Sequence, residues 1–361
     1  MSFCDLALDC VTKLHPYIPG KPIEELEREL GITDIVKLAS NENPLGPSAK
    51  VLAALAQAST EVTRYPDGNG FSLKAALADK YQLSTEQITL GNGSNDVLEI
   101  IARAFVSNTD EVMFSQYAFA VYPLVTQAIG AKAVIAPARD YGHDLQAMST
   151  LISEKTKLIF IANPNNPTGT HLAADELEAF IAQVPNTILV VLDEAYVEYG
   201  EQAVDSVFWL KKYSNLIITR TFSKAYGLAG LRVGYALSHP EVADLINRIR
   251  QPFNVNSLAL AAATVALKDD DYIVKTKQLN DAGMAQLMAG LKALGLESIP
   301  SKGNFITIDV QKNGDEVFSD LLRQGVIVRP VTNYGLAKHI RVSIGLESEN
   351  LRFLDALEEV L

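Results

Sequence analysis

The chain has 361 residues, of which 48% are hydrophobic and 20% charged, the composition of an ordinary globular enzyme with one large core or two unequal ones. Its formal net charge of −12 argues against non-specific binding to nucleic acids, so a site for anionic substrates must gather its arginines locally. No stretch reaches the ~20 apolar residues of a membrane helix, and we therefore expect no membrane partner.

The N-terminal residues are predicted to form a peripheral segment. The first ten contain neither a basic segment nor a long apolar run, so we expect no signal peptide. Cys4 and Cys10 lack the spacing of metal ligands or of a disulfide framework, and we interpret them as reduced thiols of a cytoplasmic protein that needs no metal. Three prolines interrupt residues 14–22, which include Tyr17, and a short charged helix is predicted from Ile23 to Leu30.

A polar, turn-rich loop, Lys37–Pro47, leads into two predicted helices. The loop contains Asn43 among other turn formers, and such loops are often plain linkers. The helices are expected at Ala49–Ser59 and Leu73–Tyr81, with an exposed loop that includes Tyr65 between them.

A glycine-rich turn, Gly91-Asn92-Gly93-Ser94-Asn95-Asp96, joins a short strand, Ile88–Leu90, to an apolar helix, Val97–Phe105. Glycines before a helix let backbone N–H groups approach a phosphate, and the helix dipole favours the anion. The turn lacks the third glycine of the dinucleotide fingerprint and the Gly-Lys-Ser/Thr of a P-loop. An anion site and a plain helix cap at Ser94 or Asn95 therefore fit the turn equally well.

Apolar strands then alternate with helices. Strands are predicted at Glu111–Phe114, Ala133–Ala136, Leu158–Ala162, Thr187–Leu192, Leu216–Thr219 and Val233–Ala236, and helices at Ala120–Ile129 and Ala174–Val184. This pattern is typical of a mostly parallel α/β sheet, whose ligands bind beyond the carboxyl ends of the strands. Four loops with unusual polar residues follow these ends, namely 91–95, 163–169, 193–196 and 221–224. We expect them to converge on one edge.

The pattern changes after Pro240. Helices are predicted at Glu241–Arg250, Ser257–Lys268, Asp270–Leu294, Gly314–Gln324 and Ser348–Leu361, and strands at 305–309, 326–329 and 339–344. We interpret this part as a smaller α+β domain that the N-terminal segment joins. The predicted division is residues 1–45 for that segment, 46–270 for the large domain and 271–361 for the small domain.

One lysine is flanked by hydroxyl side chains and an arginine, which are residue types that can bind a phosphate. Lys224 follows the strand Leu216–Thr219 and is flanked by Thr221, Ser223 and, after a glycine-rich stretch, Arg232. Hydroxyls can bond a phosphate, and a guanidinium can bind one bidentately. An amine beside an anion site suits a molecule that carries both a phosphate and an aldehyde, as pyridoxal phosphate does. Strand–turn–helix junctions also carry these residue types without such a role.

Four other side chains fit the same cofactor. Asp193, at a strand end, can keep a pyridine nitrogen protonated, or it can simply cap a helix. Tyr196 and Asn166 can bond the ring's phenolic oxygen, although a packing tyrosine and a turn-forming asparagine are the plainer interpretations. Phe119, before a predicted helix, can stack on the ring or belong to the core.

Together the motifs resemble a known family. Asn166-Pro167-Thr168-Gly169, Asp193-Glu194-Ala195-Tyr196, Ser223-Lys224 and Gly230-Leu231-Arg232-Val233-Gly234 resemble, in order, the motifs of fold-type I, class II aminotransferases. Asn41-Glu42-Asn43-Pro44-Leu45-Gly46 and Arg64-Tyr65-Pro66 are similar to those of the histidinol-phosphate aminotransferase family. The motifs extend from residue 15 to residue 345. The resemblance implies a large α/β/α domain with a mostly parallel sheet, a smaller α+β domain and pyridoxal 5'-phosphate as cofactor.

The resemblance also implies a role for each matching position. Lys224 would bond to the cofactor's aldehyde, Asp193 would pair with the pyridine nitrogen, and Asn166 and Tyr196 would contact the ring oxygen. Phe119 fits the ring-stacking position better than Tyr117. The phosphate would be held by Gly93, Ser94, Asn95, Ser223 and Arg232, together with Thr221. Tyr65 would reach that phosphate from the partner subunit, which implies a homodimer with shared sites.

Substrate contacts are implied in the same way. Arg341 matches the arginine that binds a substrate carboxylate, Arg329 is a second candidate, and Tyr17 would close the pocket, with Asn43 and Asn166 nearby. The implied reaction is a ping-pong transfer in which glutamate donates its amino group to imidazole acetol phosphate, giving histidinol phosphate and 2-oxoglutarate. Lys224 would move the proton at the substrate Cα.

Other functions share this framework. An aromatic amino-acid aminotransferase and a threonine-phosphate decarboxylase relative are both compatible with the motifs, and the second also needs a phosphate-binding pocket. A regulatory protein built on the same fold would be expected to carry an added DNA-binding segment, and none is visible. The incomplete glycine fingerprint argues against a NAD-dependent dehydrogenase.

Overall fold

A computed structural model describes residues 3–16, 20–200 and 205–361. Numbered along these residues, the strands are β1 (Val36–Lys37), β2 (Ile88–Gly91), β3 (Glu111–Ser115), β4 (Lys132–Ala136), β5 (Ala138–Arg139), β6 (Gly142–His143), β7 (Thr156–Ala162), β8 (Leu189–Asp193), β9 (Leu216–Thr221), β10 (Gly234–Leu237), β11 (Glu297–Ile299), β12 (Phe305–Asp309), β13 (Val326–Ile327), β14 (Arg329–Pro330) and β15 (His339–Ser343). The helices are α1 (Asp9–Thr12), α2 (Ile23–Leu30), α3 (Ala49–Ala58), α4 (Phe71–Tyr81), α5 (Ser94–Phe105), α6 (Val121–Ile129), α7 (Leu145–Leu151), α8 (Ala174–Gln183), α9 (Pro240–Ile249), α10 (Ser257–Ala266), α11 (Asp270–Ala293), α12 (Gly314–Arg323) and α13 (Glu347–Val360).

The larger sheet has seven strands in the order β2-β10-β9-β8-β7-β3-β4. The pairs β9–β8, β8–β7, β7–β3 and β3–β4 are parallel, which confirms the mostly parallel sheet that the sequence predicts. Strand β10 is antiparallel to both of its neighbours, so β2 and β9 run in the same direction. The carboxyl ends of β2, β3, β7, β8 and β9 therefore lie at one edge.

Both faces of this sheet are buried. In β7, Leu158 and Phe160 belong to one apolar core and Ile159 and Ile161 to another. Helices α5, α6 and α9 cover the first face, and α4, α7, α8 and α10 cover the second. Because alternate side chains of a strand point to opposite faces, the near-continuous apolar runs are what such a two-sided sheet requires.

A smaller antiparallel sheet follows in the chain, in the order β11-β12-β15-β14. It has its own core with α11, α12 and α13, and Leu38 of the N-terminal segment is buried in that core. Strand β1 of the same segment pairs in parallel with β13. The loop after β1 is thereby held between the two sheets, where it takes part in the site described below.

The elements that were not predicted include a hairpin and a short helix. The hairpin of β5 and β6 turns through Asp140 and Tyr141, which have positive φ angles of 50° and 62°. Its turn contains none of the Asn-Gly or Asp-Gly pairs that signal a tight hairpin in a sequence. Helix α7 is only seven residues long and buries Met148 alone, so its apolar period is too short to recognise.

Candidate active site

A cavity of about 220 Å³ lies beyond the carboxyl ends of the parallel strands, where the larger sheet meets the smaller one. Its lining brings together most of the predicted site residues: Ser94, Asn95, Phe119, Asn166, Asp193, Tyr196, Thr221, Ser223, Lys224, Arg232, Arg329 and Arg341. The lining also includes Ala39, Ser40, Asn41, Ala162, Pro164, Ala195 and Tyr334, which the sequence did not single out. The expected convergence of four loops on one edge is what the structure shows.

Asp193 is a buried carboxylate at the end of β8. It accepts hydrogen bonds from the hydroxyl of Tyr122 at 2.8 Å and from the hydroxyl of Thr219 at 3.1 Å. Burial raises the pKa of Asp193 to about 6, against the lowering effect of those two donors. A carboxylate held in this way is stabilised by a cation placed next to it in the cavity.

Lys224 follows β9, the strand that pairs with the one carrying Asp193. Its Nζ donates a hydrogen bond of 2.7 Å to the carbonyl of Ser40 and lies 5.9 Å from the centre of the Tyr196 ring. Burial of the amine lowers its pKa to about 7, and the charge of Arg341 acts in the same direction. The lowered pKa makes the neutral amine accessible near pH 7, and this is the form that can attack an aldehyde or accept a proton.

One end of the cavity is built for an anion. Helix α5 begins there, and its N-cap, Gly93, supplies no side chain to satisfy the first N–H groups of the helix. The guanidinium of Arg232 donates to the hydroxyl of Ser223 at 3.2 Å and to the carbonyl of Ala229 at 3.1 Å. A Cβ atom on Gly93 would stand 2.4 Å from Nη2 of Arg232. Glycine is thus required for the arginine to lie against the start of the helix.

A chain of polar contacts forms another part of the cavity wall. Arg341 donates to Oδ1 of Asn166 at 2.5 Å, and Nδ2 of Asn166 donates to the hydroxyl of Tyr196 at 3.1 Å. Asn41 donates to that same hydroxyl at 2.9 Å. Burial raises the pKa of Tyr196 to about 12, so its phenol keeps its proton at neutral pH.

Two arginines stand opposite each other on neighbouring strands of the smaller sheet. Arg329 of β14 and Arg341 of β15 are partners in the strand register, and both line the cavity. Arg341 is buried, donates to the carbonyl of Ala39 at 2.8 Å and lies 5.3 Å over the ring of Phe305. Paired cations at this side give the cavity a second place for an anionic group, remote in sequence from the helix end.

Some predicted residues lie elsewhere. Asn43 does not line the cavity; its amide donates to the carbonyl of Ala225 and to the hydroxyls of Tyr272 and Thr276, so it fastens the loop to α11. Tyr65 is 83% exposed and stacks on Phe253. Tyr17 falls outside the described residues. Of the two aromatic candidates Phe119 lines the cavity, whereas Tyr117 packs on Tyr141.

Two residues that hold the site were missed. Tyr122, inside α6, is an apolar-looking position whose hydroxyl bonds Asp193. Asn41, with φ at +56°, bonds Tyr196 across 155 positions of sequence. A buried tyrosine in a helix carries no sequence signal of its partner, but Asn41 belongs to a motif that was noted, two residues before Asn43.

The cavity therefore offers a buried carboxylate, an amine of lowered pKa, an anion-binding helix end and an aromatic wall. Among the described residues no group of three or more His, Cys, Asp or Glu side chains could hold a metal ion, and no described helix is long and apolar enough to cross a membrane. A phosphorylated, cationic aromatic ring with an aldehyde matches each of these features. This set of groups defines a transferase site of the kind used for amino groups.

Comparisons with known proteins agree. The model of the family described as aminotransferase class I and II matches residues 33–357, so this is an aminotransferase of that class. The chain is 58% identical to histidinol-phosphate aminotransferase 2 of Pseudomonas fluorescens, over 99% of this chain and 98% of the relative. It is also 58% identical to the Pasteurella multocida protein of the same name, over the whole of both chains. The chain belongs to the histidinol-phosphate aminotransferase family.

Solved structures extend the comparison. The histidinol-phosphate aminotransferase of Sinorhizobium meliloti, in complex with pyridoxal 5'-phosphate, superposes with a TM-score of 0.91 at 31% identity, covering 98% of this chain and 96% of that one. A double mutant of Thermus thermophilus aspartate aminotransferase, at 24% identity, has a TM-score of 0.85 over 98% of this chain and 99% of its own and shares the fold. The predicted fold class and family are both confirmed.

Proposed function

We propose that this protein is a histidinol-phosphate aminotransferase, which uses pyridoxal 5'-phosphate to transfer an amino group between L-histidinol phosphate and 2-oxoglutarate. The observation that carries the proposal is the meeting of Lys224 and Asp193 in one cavity, although 31 positions of sequence separate them. The names of full-length relatives at 58% identity support histidinol phosphate over the aromatic amino acids and threonine phosphate that the motifs also allow.

The cavity residues fit this cofactor. Lys224 would bond to its aldehyde carbon, Asp193 would hold the proton on its pyridine nitrogen, and Phe119 would stack on its ring. The phosphate would lie at the start of α5, bound by Gly93, Ser94, Asn95, Ser223 and Arg232, together with Thr221. When bound, the cofactor supplies a ring that draws in the electron pair left at the substrate Cα after its proton is removed.

The protein's own part is to hold charges and move one proton. Burial raises the pKa of Asp193, and a pyridinium partner would stabilise its carboxylate form, which would in turn hold the proton on the ring nitrogen. As a free amine, Lys224 would take the proton from the substrate Cα as a neutral base and return it as an ammonium acid, and its low pKa suits both roles. Asn166 and Tyr196 would bond the ring oxygen.

The two paired arginines would allow one pocket to bind two substrates with different anionic groups. Glutamate carries two carboxylates, whereas histidinol phosphate carries a phosphate and no α-carboxylate. Arg341 and Arg329, opposite each other on β15 and β14, would bind the anionic groups of either substrate. Tyr17 would close the pocket over them, and Asn43 supports it indirectly through the loop that it fastens.

We further propose a homodimer with shared sites. Tyr65 and Phe253 form a stacked, exposed aromatic pair, with ring centres 4.8 Å apart, and Phe71 nearby in sequence is also exposed. Exposed aromatic groups of this kind are typical of interfaces. Tyr65 of the partner subunit would reach the cofactor phosphate. We also propose an N-terminal segment of residues 1–45, a large domain of residues 46–270 and a small domain of residues 271–361, a division that the separate cores of the two sheets support. The proposed location is the cytoplasm.

A substrate panel tests the main proposal. Purified protein with the cofactor is assayed with 2-oxoglutarate and, in turn, histidinol phosphate, phenylalanine and threonine phosphate, and glutamate formation is measured. We expect histidinol phosphate to have the highest kcat/KM, and Lys224→Ala to abolish turnover while the protein stays folded by circular dichroism. Higher efficiency with phenylalanine, or normal turnover by Lys224→Ala, would contradict the proposal.

A further inference from the structure

The hydroxyl of Tyr196 receives two hydrogen bonds inside the protein. Nδ2 of Asn41 donates at 2.9 Å and Nδ2 of Asn166 donates at 3.1 Å. A phenol hydroxyl can donate one hydrogen bond and can accept only a limited number of them. With two amides as donors, the accepting capacity of Tyr196 is used up, and its proton is left to be donated.

Each amide is fixed in its orientation by a further group. A guanidinium can only donate, so Oδ1 of Asn166 faces Arg341 and Nδ2 faces Tyr196. The backbone N–H of Asn41 donates to Oγ of Ser343 at 2.8 Å, and that hydroxyl gives its own proton to Oδ1 of Asn41 at 3.2 Å. Nδ2 of Asn41 is therefore the end that faces Tyr196. The direction of every bond in this chain follows from Arg341 and Ser343.

The proton of Tyr196 points to the cavity. Within the parts of the chain that the structure describes, no hydrogen bond donated by the Tyr196 hydroxyl is present, while the residue lines the cavity together with Asn41. The charged or titratable groups around Tyr196 include Arg341 of β15, Asp193 of β8, Lys224, Tyr122, Tyr199 and Tyr334. The phenol keeps its proton at neutral pH because burial raises its pKa to about 12.

We infer that Asn41 is a positioning residue that makes Tyr196 an obligatory hydrogen-bond donor to the cofactor's ring oxygen. This inference rests on the proposed cofactor but not on the identity of the substrate. Asn41 suits this role because its backbone is held in place between the two sheets. Its carbonyl accepts a hydrogen bond from Asn304 at 3.0 Å, and the carbonyl of the preceding residue, Ser40, accepts one from Lys224. Its positive φ of 56° is a conformation that Asn, Asp and Gly tolerate best.

The consequence is a shift in the protonation of the bound cofactor. A donor to the ring oxygen stabilises the phenolate and so lowers the pH at which the cofactor's link to Lys224 loses its proton. An acceptor in place of the Asn41 amide, as in Asn41→Asp, would draw the proton of Tyr196 away from the cavity. We expect the pH midpoint of the cofactor's absorbance change to rise by about one unit, the scale of one lost hydrogen bond.

Three variants separate this effect from simpler ones. Asn304→Asp places a carboxylate beside Asn41, on a buried residue that has no bond to Tyr196, and serves as the charge control. Asn41→Gly removes the amide without adding charge or backbone strain, and we expect a smaller rise, of about half a unit. In a Tyr196→Phe background both Asn41 variants should lose most of their effect.

The measurement is a pH titration of the absorbance of cofactor-loaded protein without any amino substrate. The titration can therefore be interpreted even if histidinol phosphate is not the substrate. If the protein does not bind the cofactor, the unmutated protein will show no absorbance change. Thermal unfolding of the cofactor-free variants checks that they fold, and Asn41→Gly carries the test if Asn41→Asp does not fold. Equal shifts in Asn41→Asp and Asn304→Asp, an unchanged midpoint in Asn41→Gly, or an undiminished shift in the Tyr196→Phe background would overturn the inference.

Discussion

The hydroxyl of Tyr122 donates a hydrogen bond of 2.8 Å to Oδ2 of Asp193, which joins a helix on one face of the sheet to a carboxylate at its edge. The ring of Tyr122 stacks on Phe160 with centres 4.5 Å apart and meets Phe119 edge-on at 5.8 Å. Phe119 and Asp193 both line the cavity. A single buried side chain thus fixes both the proposed stacking aromatic and the proposed partner of the pyridine nitrogen.

Removing that hydroxyl should weaken cofactor binding. In Tyr122→Phe the carboxylate loses a donor that lowers its pKa, so its ionised form is less favoured. We expect the Kd for pyridoxal phosphate to rise about tenfold, as measured by titration of the cofactor-free protein. Tyr235→Phe is the matched control, because it loses an equally buried bond, to Tyr81 at 2.7 Å, away from the cavity. A similar rise in Kd for both variants would refute the assigned role of Tyr122.

The contribution of Asp193 to the stability of the cofactor-free protein should decrease as the pH rises, which is the opposite of the usual behaviour of a carboxyl group. Its pKa is about 6 in the fold, above the ordinary 3.8, so between these values the folded state holds a proton that the unfolded chain has lost. This contribution is complete below pH 3.8 and disappears as the pH rises through 6, a loss of at most about 3 kcal/mol.

Asp193→Asn should remove this loss, as urea unfolding across that pH range can measure. Asp269→Asn is a control of opposite sign, since the pKa of Asp269 is lowered, chiefly by its bond to Lys50, and its stabilisation is lost as the pH falls. We expect the unfolding free energies of the two variants to diverge from wild type in opposite directions with pH. Parallel curves would contradict the assignment for Asp193.

Capture of the cofactor should follow the titration of Lys224. Only the neutral amine attacks an aldehyde, so the rate should rise with pH and level off above about 7. Arg341 contributes to the lowered pKa, so Arg341→Gln should move the midpoint upward by about half a unit. Stopped-flow absorbance on the cofactor-free protein measures both rates. An unchanged midpoint in Arg341→Gln would show that the charge of Arg341 does not contribute to the lowered pKa of Lys224.

Gly93 should tolerate no side chain. In Gly93→Ala the new Cβ meets Nη2 of Arg232 at 2.4 Å, and the residue already has a positive φ of 85°. We expect Arg232 to be displaced and phosphate binding to weaken at least about tenfold, measured as the Kd of the cofactor. Gly230→Ala, two residues before Arg232, has no neighbouring atom within 4 Å of the added Cβ and should bind normally.

Features with a pattern inside a single strand or helix could be predicted from the sequence. Relationships between separate elements could not. The runs of Leu158–Ala162 and Leu216–Thr219 predicted buried parallel strands, because a two-sided sheet leaves an apolar signature in each strand alone. The antiparallel direction of β10 left no such signature, since β-pairing direction depends on the connection and not on the strand's own residues.

The site shows the same division. Lys224, Asp193 and Asn166 could be predicted because each belongs to a short local motif at a strand end. The bond from Tyr122 to Asp193 joins residues 71 positions apart, and the bond from Asn41 to Tyr196 joins residues 155 apart. Neither pair has a local pattern, so only the folded chain reveals them. The place of Asn43 outside the lining has the same cause: its amide is used by partners on α11.

Shared sites in the proposed dimer can be tested by mixing subunits. If Tyr65 acts on the partner's site, a hybrid of Lys224→Ala and Tyr65→Ala subunits contains one site with both residues intact. Random exchange makes half of the dimers hybrid, so activity should recover to about a quarter of wild type. Wild type mixed with the double variant Lys224→Ala/Tyr65→Ala is the matched control. With shared sites its hybrids contain no intact site, so its activity should fall to about the one quarter that the wild-type dimers supply.

The two mixtures give opposite results for the two arrangements. Were Tyr65 to act within its own subunit, the first mixture would form no intact site, and each hybrid of the second would keep one. Tyr65 is 83% exposed and is absent from the lining of its own chain's cavity, which favours action across the interface. Activity assays after subunit exchange, with hybrid formation checked by native mass spectrometry, decide between them. An inactive first mixture, together with a second mixture that keeps about half of wild-type activity, would rule out sharing through Tyr65.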